Sequence, residues 1–243
     1  MFQPRRNPNP FTQPFAYTRI GGFSPAGIAG LTLWLDAAQI TGAVNGGALA
    51  QWDDASGGGR HVTQATAANQ PTYQTSVRNG LPVVRFDGTN DRLARVGMTG
   101  IDAARQLVAV VSASTNSGGE RHMFNARQAA GSVAYVRQES GTHRALLRGV
   151  QVAASTGGTA WTVHIVHNAA GSVTYRRNGT LEGTTTATLS ANTAPTDMYV
   201  GNEITANFWV GDIAEIVWYT SASDFVAGDI TALETYLRNK WAI

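Results

Sequence analysis

The segment LTLWLDA, residues 31–37, alternates Leu31, Leu33 and Leu35 with Thr32, Trp34 and Asp36. A period of two sends the leucines to one face of an extended strand and the other three residues to the opposite face. Similar short runs recur to the end of the chain: GLPVVRFDG at 80–88, RQLVAVVSAS at 105–114, RHMFNA at 121–126, SVAYVRQ at 132–138, HRALLRG at 143–149, TAWTVHIVHN at 159–168, SVTYRRNG at 172–179, MYVGN at 198–202 and FWVGDIAEIVWYT at 208–220. Turn formers separate them, among them Asn79-Gly80, Asp87-Gly88 and Asn178-Gly179, pairs that favour tight turns and hairpins. Many short strands with almost no helix predict a β-sandwich or barrel.

Composition agrees. The chain has 243 residues, of which 43% are hydrophobic and only 14% charged. That is enough apolar surface for a proper core, and all-β sandwiches of this length form single domains. There is no cysteine, which excludes disulfides and thiolate metal sites. Prolines interrupt the opening MFQPRRNPNP where a secretory signal needs an unbroken apolar run. No stretch approaches the roughly 18 apolar residues of a membrane helix. The expectation is a protein without a signal peptide, made in a cytoplasm. The formal charge of +2 and the absence of a lysine–arginine cluster within the body give no footprint for nucleic acid.

Two segments depart from the strand pattern. Residues 1–30 contain no acidic residue and most of the prolines, with Phe2, Phe11, Phe15, Tyr17 and Phe23 spaced along them. Proline fixes φ and removes a donor, so neither a helix nor a central strand is expected there. Disordered tails are usually poor in aromatics, so we read 1–30 as an extended docking arm. Its contact residues would be Arg5, Arg6, Phe11, Phe15, Tyr17 and Arg19. The second segment is helical: Val226, Ile230, Leu233, Leu237 and Trp241 form one stripe, with Ser223 or Asp224 as cap and Arg238 and Lys240 in the last turn. The β-sandwich domain then spans 31–243. Within it, AAGSVAYVRQ at 129–138 matches AAGSVTYRRN at 169–178 in seven of ten places, which predicts two hairpins with shared turn chemistry.

An ordered set of segments resembles the concanavalin A-like (laminin-G-like) jelly-roll domains of bacteriophage structural proteins and bacterial surface proteins. They are LTLWLDAAQ at 31–39, QWDDASGGGRHVTQ at 51–64, QPTYQTSVRNGLPVVRFDGTNDRLA at 70–94, SVTYRRNGT at 172–180, GDIAEIVWYT at 211–220 and YLRNKWAI at 236–243. The resemblance implies a two-sheet jelly roll with a C-terminal helix. It says little about function, since such folds host lectins, hydrolases, adhesins and scaffolds.

The chemistry-bearing residues are sparse. A glycan hydrolase needs two carboxylates facing one groove. Asp53 and Asp54 are adjacent and point apart, and Glu215 stands alone in its strand, which favours a structural role. His164 and His167 are three apart on a strand and face opposite ways, so they do not share a metal. No nucleophile elbow, P-loop or zinc-protease motif is present. Asp87, Asn90 and Asp91 offer clustered oxygens suited to Ca²⁺, but the same residues make a self-bonded turn, the reading we favour over any cofactor. Trp34, Trp218 and Trp241 lie in apolar patterns expected to be core. Trp52 and Trp209, beside polar residues, are the tryptophans expected at the surface. With Asp87, Asn90 and Asp91 they form the candidate glycan-contact set.

The sequence thus points to a non-enzymatic virion structural protein, a capsid decoration or head-surface protein. It would be anchored to other virion proteins by its arm within a symmetric assembly, and would display a lectin-like domain at the virion surface. A glycan-binding adhesin or tail receptor-binding module is the alternative, and a glycan hydrolase the second.

Overall fold

A computed structural model describes residues 22–101, 104–115, 118–153, 157–190 and 194–243. Two eight-stranded antiparallel sheets face each other. The first holds β1 (Leu31–Asp36), β4 (Thr72–Arg78), β5 (Leu81–Asp87), β7 (Arg105–Ser114), β12 (Thr162–Ala169), β13 (Ser172–Arg177), β14 (Thr180–Thr186) and β16 (Val210–Ser221). Its order is β14-β13-β12-β7-β16-β5-β4, with β1 paired to β16 off that path. The second holds β2 (Gln51–Trp52), β3 (Val62–Thr63), β6 (Leu93–Arg95), β8 (Glu120–Gln128), β9 (Gly131–Glu139), β10 (Thr142–Leu147), β11 (Val150–Ala153) and β15 (Asp197–Val200). They run β11-β10-β9-β8-β15-β6-β3-β2. One α-helix, α1 (Ala227–Trp241), ends the chain. The architecture is the expected all-β sandwich of jelly-roll type with a C-terminal helix.

The turns behave as their residues require. Asn79-Gly80 joins β4 to β5 with both φ angles positive, and Asn178-Gly179 does the same between β13 and β14. That is the hairpin turn in which an Asn-Gly pair is favoured over residues with bulkier side chains. The repeated AAGSV pieces are also hairpin turns, joining β8 to β9 in one sheet and β12 to β13 in the other.

Between the sheets, Leu33, Leu35, Val84, Phe86, Val108, Val110, Phe124, Val136 and Trp218 are buried in one cluster. A bulge in the β1–β16 pairing between Leu31 and Leu33 breaks the expected alternation, so Leu31 packs on the helix side instead. On that outer side Leu107, Ala109, Val111, Val163, Ile165 and Val217 meet Leu233, Leu237 and Trp241 of α1. The first sheet is therefore covered on both faces.

The helix starts differently from the sequence expectation. Val226 occupies the N-cap position without a side-chain bond and is 61% exposed, outside the buried stripe. Asp224, expected as a cap, pairs with Arg105. At the other end the β4–β5 turn supplies the donors: Arg78 reaches the carbonyls of Trp241 and Ala242, and the Asn79 amide reaches that of Lys240 at 2.8 Å. These groups satisfy the orphan carbonyls of the last turn.

Candidate functional site

Two groupings of polar side chains stand out, one sealed and one open. The sealed one lies where α1 crosses β1 and β16. Asp36 and Glu215 are cross-strand neighbours, so their carboxylates emerge on the same outer side. Lys240, expected in the last turn as a complement to the helix dipole, is instead turned inward between them. Its Nζ lies 2.7 Å from Asp36 Oδ2 and 2.8 Å from Glu215 Oε2. All three side chains are at most 4% exposed. Trp34 Nε1 donates to Glu215 Oε1 at 2.7 Å, and Trp241 Nε1 to Oε2 at 2.8 Å. Burial pushes the Glu215 carboxyl up, against the pull of Lys240. Burial pulls Lys240 down, but Glu215 and Asp36 outweigh it and leave the ammonium above its usual value. Beside the cluster is a recess of about 220 Å³ lined by Phe23, Trp34, Asp36, Gln39, Tyr236 and Lys240. Glu215 is held in this cluster by Lys240, Trp34 and Trp241. Its pairing with Asp36, 179 positions earlier, was not legible from either strand alone.

The open grouping covers the outer face of the second sheet. Alternation along β9 turns Ala134 and Val136 inward and Tyr135, Arg137 and Glu139 outward, and β8 presents His122 and Asn125 beside Arg137 and Tyr135. Arg137 lies over the Tyr135 ring at 4.6 Å and binds both Glu120 and Glu139. The Tyr135 hydroxyl donates to Gln151 on β11 at 2.7 Å, and burial pushes its pKa up to about 12, so it stays a neutral donor. His122 meets Glu120 through Nε2 at 2.9 Å, while burial holds it below the usual imidazole value. Arg144, Leu146, Gln151 and Tyr199 are half-buried around this network. Glu120, His122 and Glu203 place three ligand atoms within 4.8 Å of one another. Arg137 and Arg127 already pair with the two carboxylates. No helix among the described residues packs on this face.

The glycan-contact set read from the sequence is not gathered at one surface. Trp52 and Trp209 are 0% and 1% exposed and belong to the inter-sheet core, a correction to their expected exposure. Period two explains the first: Gln51 and Asp53 point outward, which turns Trp52 inward. Asp87 Oδ1 accepts the amides of Thr89, Asn90 and Asp91, and Asp91 Oδ2 accepts that of Asp87. This is the self-bonded turn; burial and the neighbouring Asp87 raise Asp91 to about 6. Asp54 likewise organises its own loop, accepting from the amides of Trp34, Ser56 and Arg60, while Asp53 is exposed. His164 and His167 do face opposite sides: His164 lies between the sheets, edge-on to His143 with ring centroids 4.6 Å apart, and His167 lines a separate recess near α1. The arm residues Arg5, Arg6, Phe11, Phe15, Tyr17 and Arg19 lie outside the described residues. The missed signal was the outward set Tyr135, Arg137, Glu139, which SVAYVRQE carries at every second position.

No protein-family model matches the chain, and no curated protein matches it. Solved structures do. The ligand-binding domain of botulinum neurotoxin serotype D, crystallised with N-acetylneuraminic acid, aligns at a TM-score of 0.61 and 13% identity over 85% of this chain and 51% of that one. The binding domain of Paraclostridial Mosquitocidal Protein 1 aligns at 0.64 and 11% over 89% and 54%. The sialidase of Trypanosoma rangeli, in complex with the inhibitor DANA, aligns at 0.59 and 16% over 84% and 32%. The chain thus spans about half the length of the toxin domains and a third of the sialidase. At these identities the likeness establishes the fold: an all-β sandwich shared with receptor-binding domains of toxins. Of these three structures, two are binding domains and one is an enzyme.

Proposed function

We propose that the chain is a non-enzymatic display domain that recognises glycans through the outer face of its second sheet and is attached to its carrier by residues 1–30. The observation that carries this reading is the difference between the two outer faces. One is apolar and closed by α1; the other is polar and aromatic, knit by its own ion pairs, with His122, Asn125 and Tyr135 buried in the network and Arg137, Arg144, Gln151 and Tyr199 half-buried at its surface. A rigid set of donors, acceptors and ring faces binds a polyhydroxylated ligand with little further ordering. The toxin domain crystallised with N-acetylneuraminic acid supports the choice of ligand class. A bacteriophage virion, on its capsid surface, is the carrier the sequence resemblance implies.

A catalytic reading has less support. The carboxylates of Asp36 and Glu215 share a single ammonium beside two tryptophans, those of Glu120 and Glu203 are paired with Arg137 and Arg127, and those of Asp87 and Asp91 accept the amides of their own turn. The decisive experiment is a glycan array, sialylated glycans included, with the full chain and the Arg144→Ala variant. Retention that falls in the variant supports the reading; a wild-type chain that binds no glycan sinks its recognition half. Phe23, Pro25 and Ile28 pack on the sandwich itself, so removing residues 1–21 is the truncation expected to leave a folded sandwich that no longer joins its carrier, and normal incorporation of that chain would sink the attachment half.

A further inference from the structure

The sealed cluster does more than fasten a helix. Lys240 is the only lysine in the chain, and it is buried against two carboxylates. A lone buried ammonium shared by two acids leaves one negative charge unmatched in a dry site, an expensive arrangement for an ion pair alone. The arrangement suits a different outcome. We propose that Lys240 Nζ and Asp36 Cγ join in a spontaneous intramolecular amide, with Glu215 carrying the proton.

The atoms balance without any further reagent. The ammonium passes one proton to Asp36 Oδ2, and the neutral amine attacks the Asp36 carboxyl carbon. The Asp36 Oδ1 that becomes the amide oxygen already accepts the Ala38 amide at 3.0 Å, a donor placed where charge develops in the tetrahedral intermediate. Glu215 takes the second proton from nitrogen as the C–N bond becomes an amide. A proton returned to Oδ2 lets it leave as water. Lysine ammonium and aspartate carboxylate thus become an amide and water, and Glu215 ends as it began. The ion pair is the resting arrangement before reaction. Proton transfer inside it separates no new charge, so the low dielectric adds no charge-separation cost to reaching the amine. Proximity does the remaining work, since Nζ is held 2.7 Å from an oxygen of the carboxyl it attacks. Trp34, Tyr236 and Trp241 donate to Glu215 and hold its carboxylate beside the reacting pair.

The bond would tie β1, whose strand partner is β16, to the helix that closes the fold. A pull on the residues before β1 would then pass into α1 through a covalent link, and the unfolded chain would lose the freedom of a loop spanning nearly the whole sandwich.

Intact mass spectrometry of the full chain under denaturing conditions tests this. The expected mass is one water below the sequence mass, and fragmentation is expected to yield a branched peptide joining Asp36 to Lys240. The Lys240→Arg variant, which keeps the charge, and Glu215→Gln, which loses the proton carrier, are both expected at their full sequence masses. In the denatured wild-type chain, Lys240 is expected to resist an amine-acylating reagent. A wild-type chain at full mass whose Lys240 acylates overturns the proposal. So does a water loss that maps to a succinimide at Asp87-Gly88 and not to the Asp36–Lys240 pair.

Discussion

The outer face of the first sheet and the outer face of the second have the same strand geometry and different side chains. On the first, Leu107, Ala109, Val111 and Val217 are fully buried because α1 lies across them. On the second, the corresponding outward positions carry His122, Asn125, Tyr135, Arg137 and Arg144, cross-linked by hydrogen bonds and ion pairs. Burial of apolar area stabilises by roughly 25 cal/mol per Å², whereas partly exposed ion pairs contribute about 1 kcal/mol or less each. Stability should therefore reside mainly on the covered side, leaving the open side freer to be spent on recognition. The sharpest way to break this contrast is to place one charge on each face. Val217→Asp puts an unpaired carboxylate under α1 and is expected to exceed roughly 5 kcal/mol of destabilisation, enough to prevent folding. Leu146→Asp, outward and half-buried on β10, is expected to stay within about 1 kcal/mol in a urea titration. Similar losses at both positions would mean that the second sheet is also covered.

A truncation on the covered side gives the next largest effect. Trp241 is fully buried at the end of the helix stripe and donates to Glu215, so Trp241→Ala is expected to lose about 3–5 kcal/mol. An unchanged melting temperature would show that α1 does not close the sheet.

The seam between the sheets responds to acid. Burial, with help from Arg177, lowers His143 from 6.5 to about 4, and His164 beside it is lowered by burial and by His143. A folded-state pKa below the unfolded one means that the unfolded chain takes the proton first. The contribution is complete above pH 6.5 and is lost as the pH falls toward about 4. At about 1.4 kcal/mol per unit, His143 alone accounts for roughly 3 kcal/mol over that window. Chemical denaturation at pH 7 and pH 4 reads the loss directly. The His143→Gln variant is expected to flatten it; equal slopes in both chains would mean that His143 is protonated within the fold.

What the sequence carried and what it withheld divide along physical lines. Local rules were enough for the Asn-Gly hairpins, the AAGSV turns and the inward set Leu33 and Leu35, because dihedral preference and period two act within a few residues. They did not reveal which outer face α1 covers, since that depends on sheet order. The Asp36–Glu215–Lys240 cluster was invisible for the same reason: its members meet only through the β1–β16 register and the helix crossing. Trp52 and Trp209 misled because polar neighbours in sequence say nothing about the opposite face of a strand. The self-bonded Asp87–Asp91 turn was legible because donors and acceptors lie within four residues.

The smallest expected change in stability is also the one that bears most on function. Tyr199 stands outward on β15, between Asn125 of β8 and Ala94 of β6, half-buried at the middle of the open face. Removing the ring loses cross-strand contacts of about 0.2–1 kcal/mol, so Tyr199→Ala should melt close to the wild type. If this face recognises glycans, the same change removes a half-buried aromatic of the kind that dominates binding energies. Affinity for a retained glycan is then expected to fall roughly tenfold, about 1.4 kcal/mol. Tyr236→Ala supplies the mirror image. Its ring packs against Phe23, and its hydroxyl lies 3.3 Å from Lys240 on the covered side, so that variant should lose stability and keep its affinity. Opposite signatures would assign stability to one face and recognition to the other. If Tyr199→Ala leaves glycan affinity unchanged while Tyr236→Ala lowers it, recognition belongs instead to the recess beside α1.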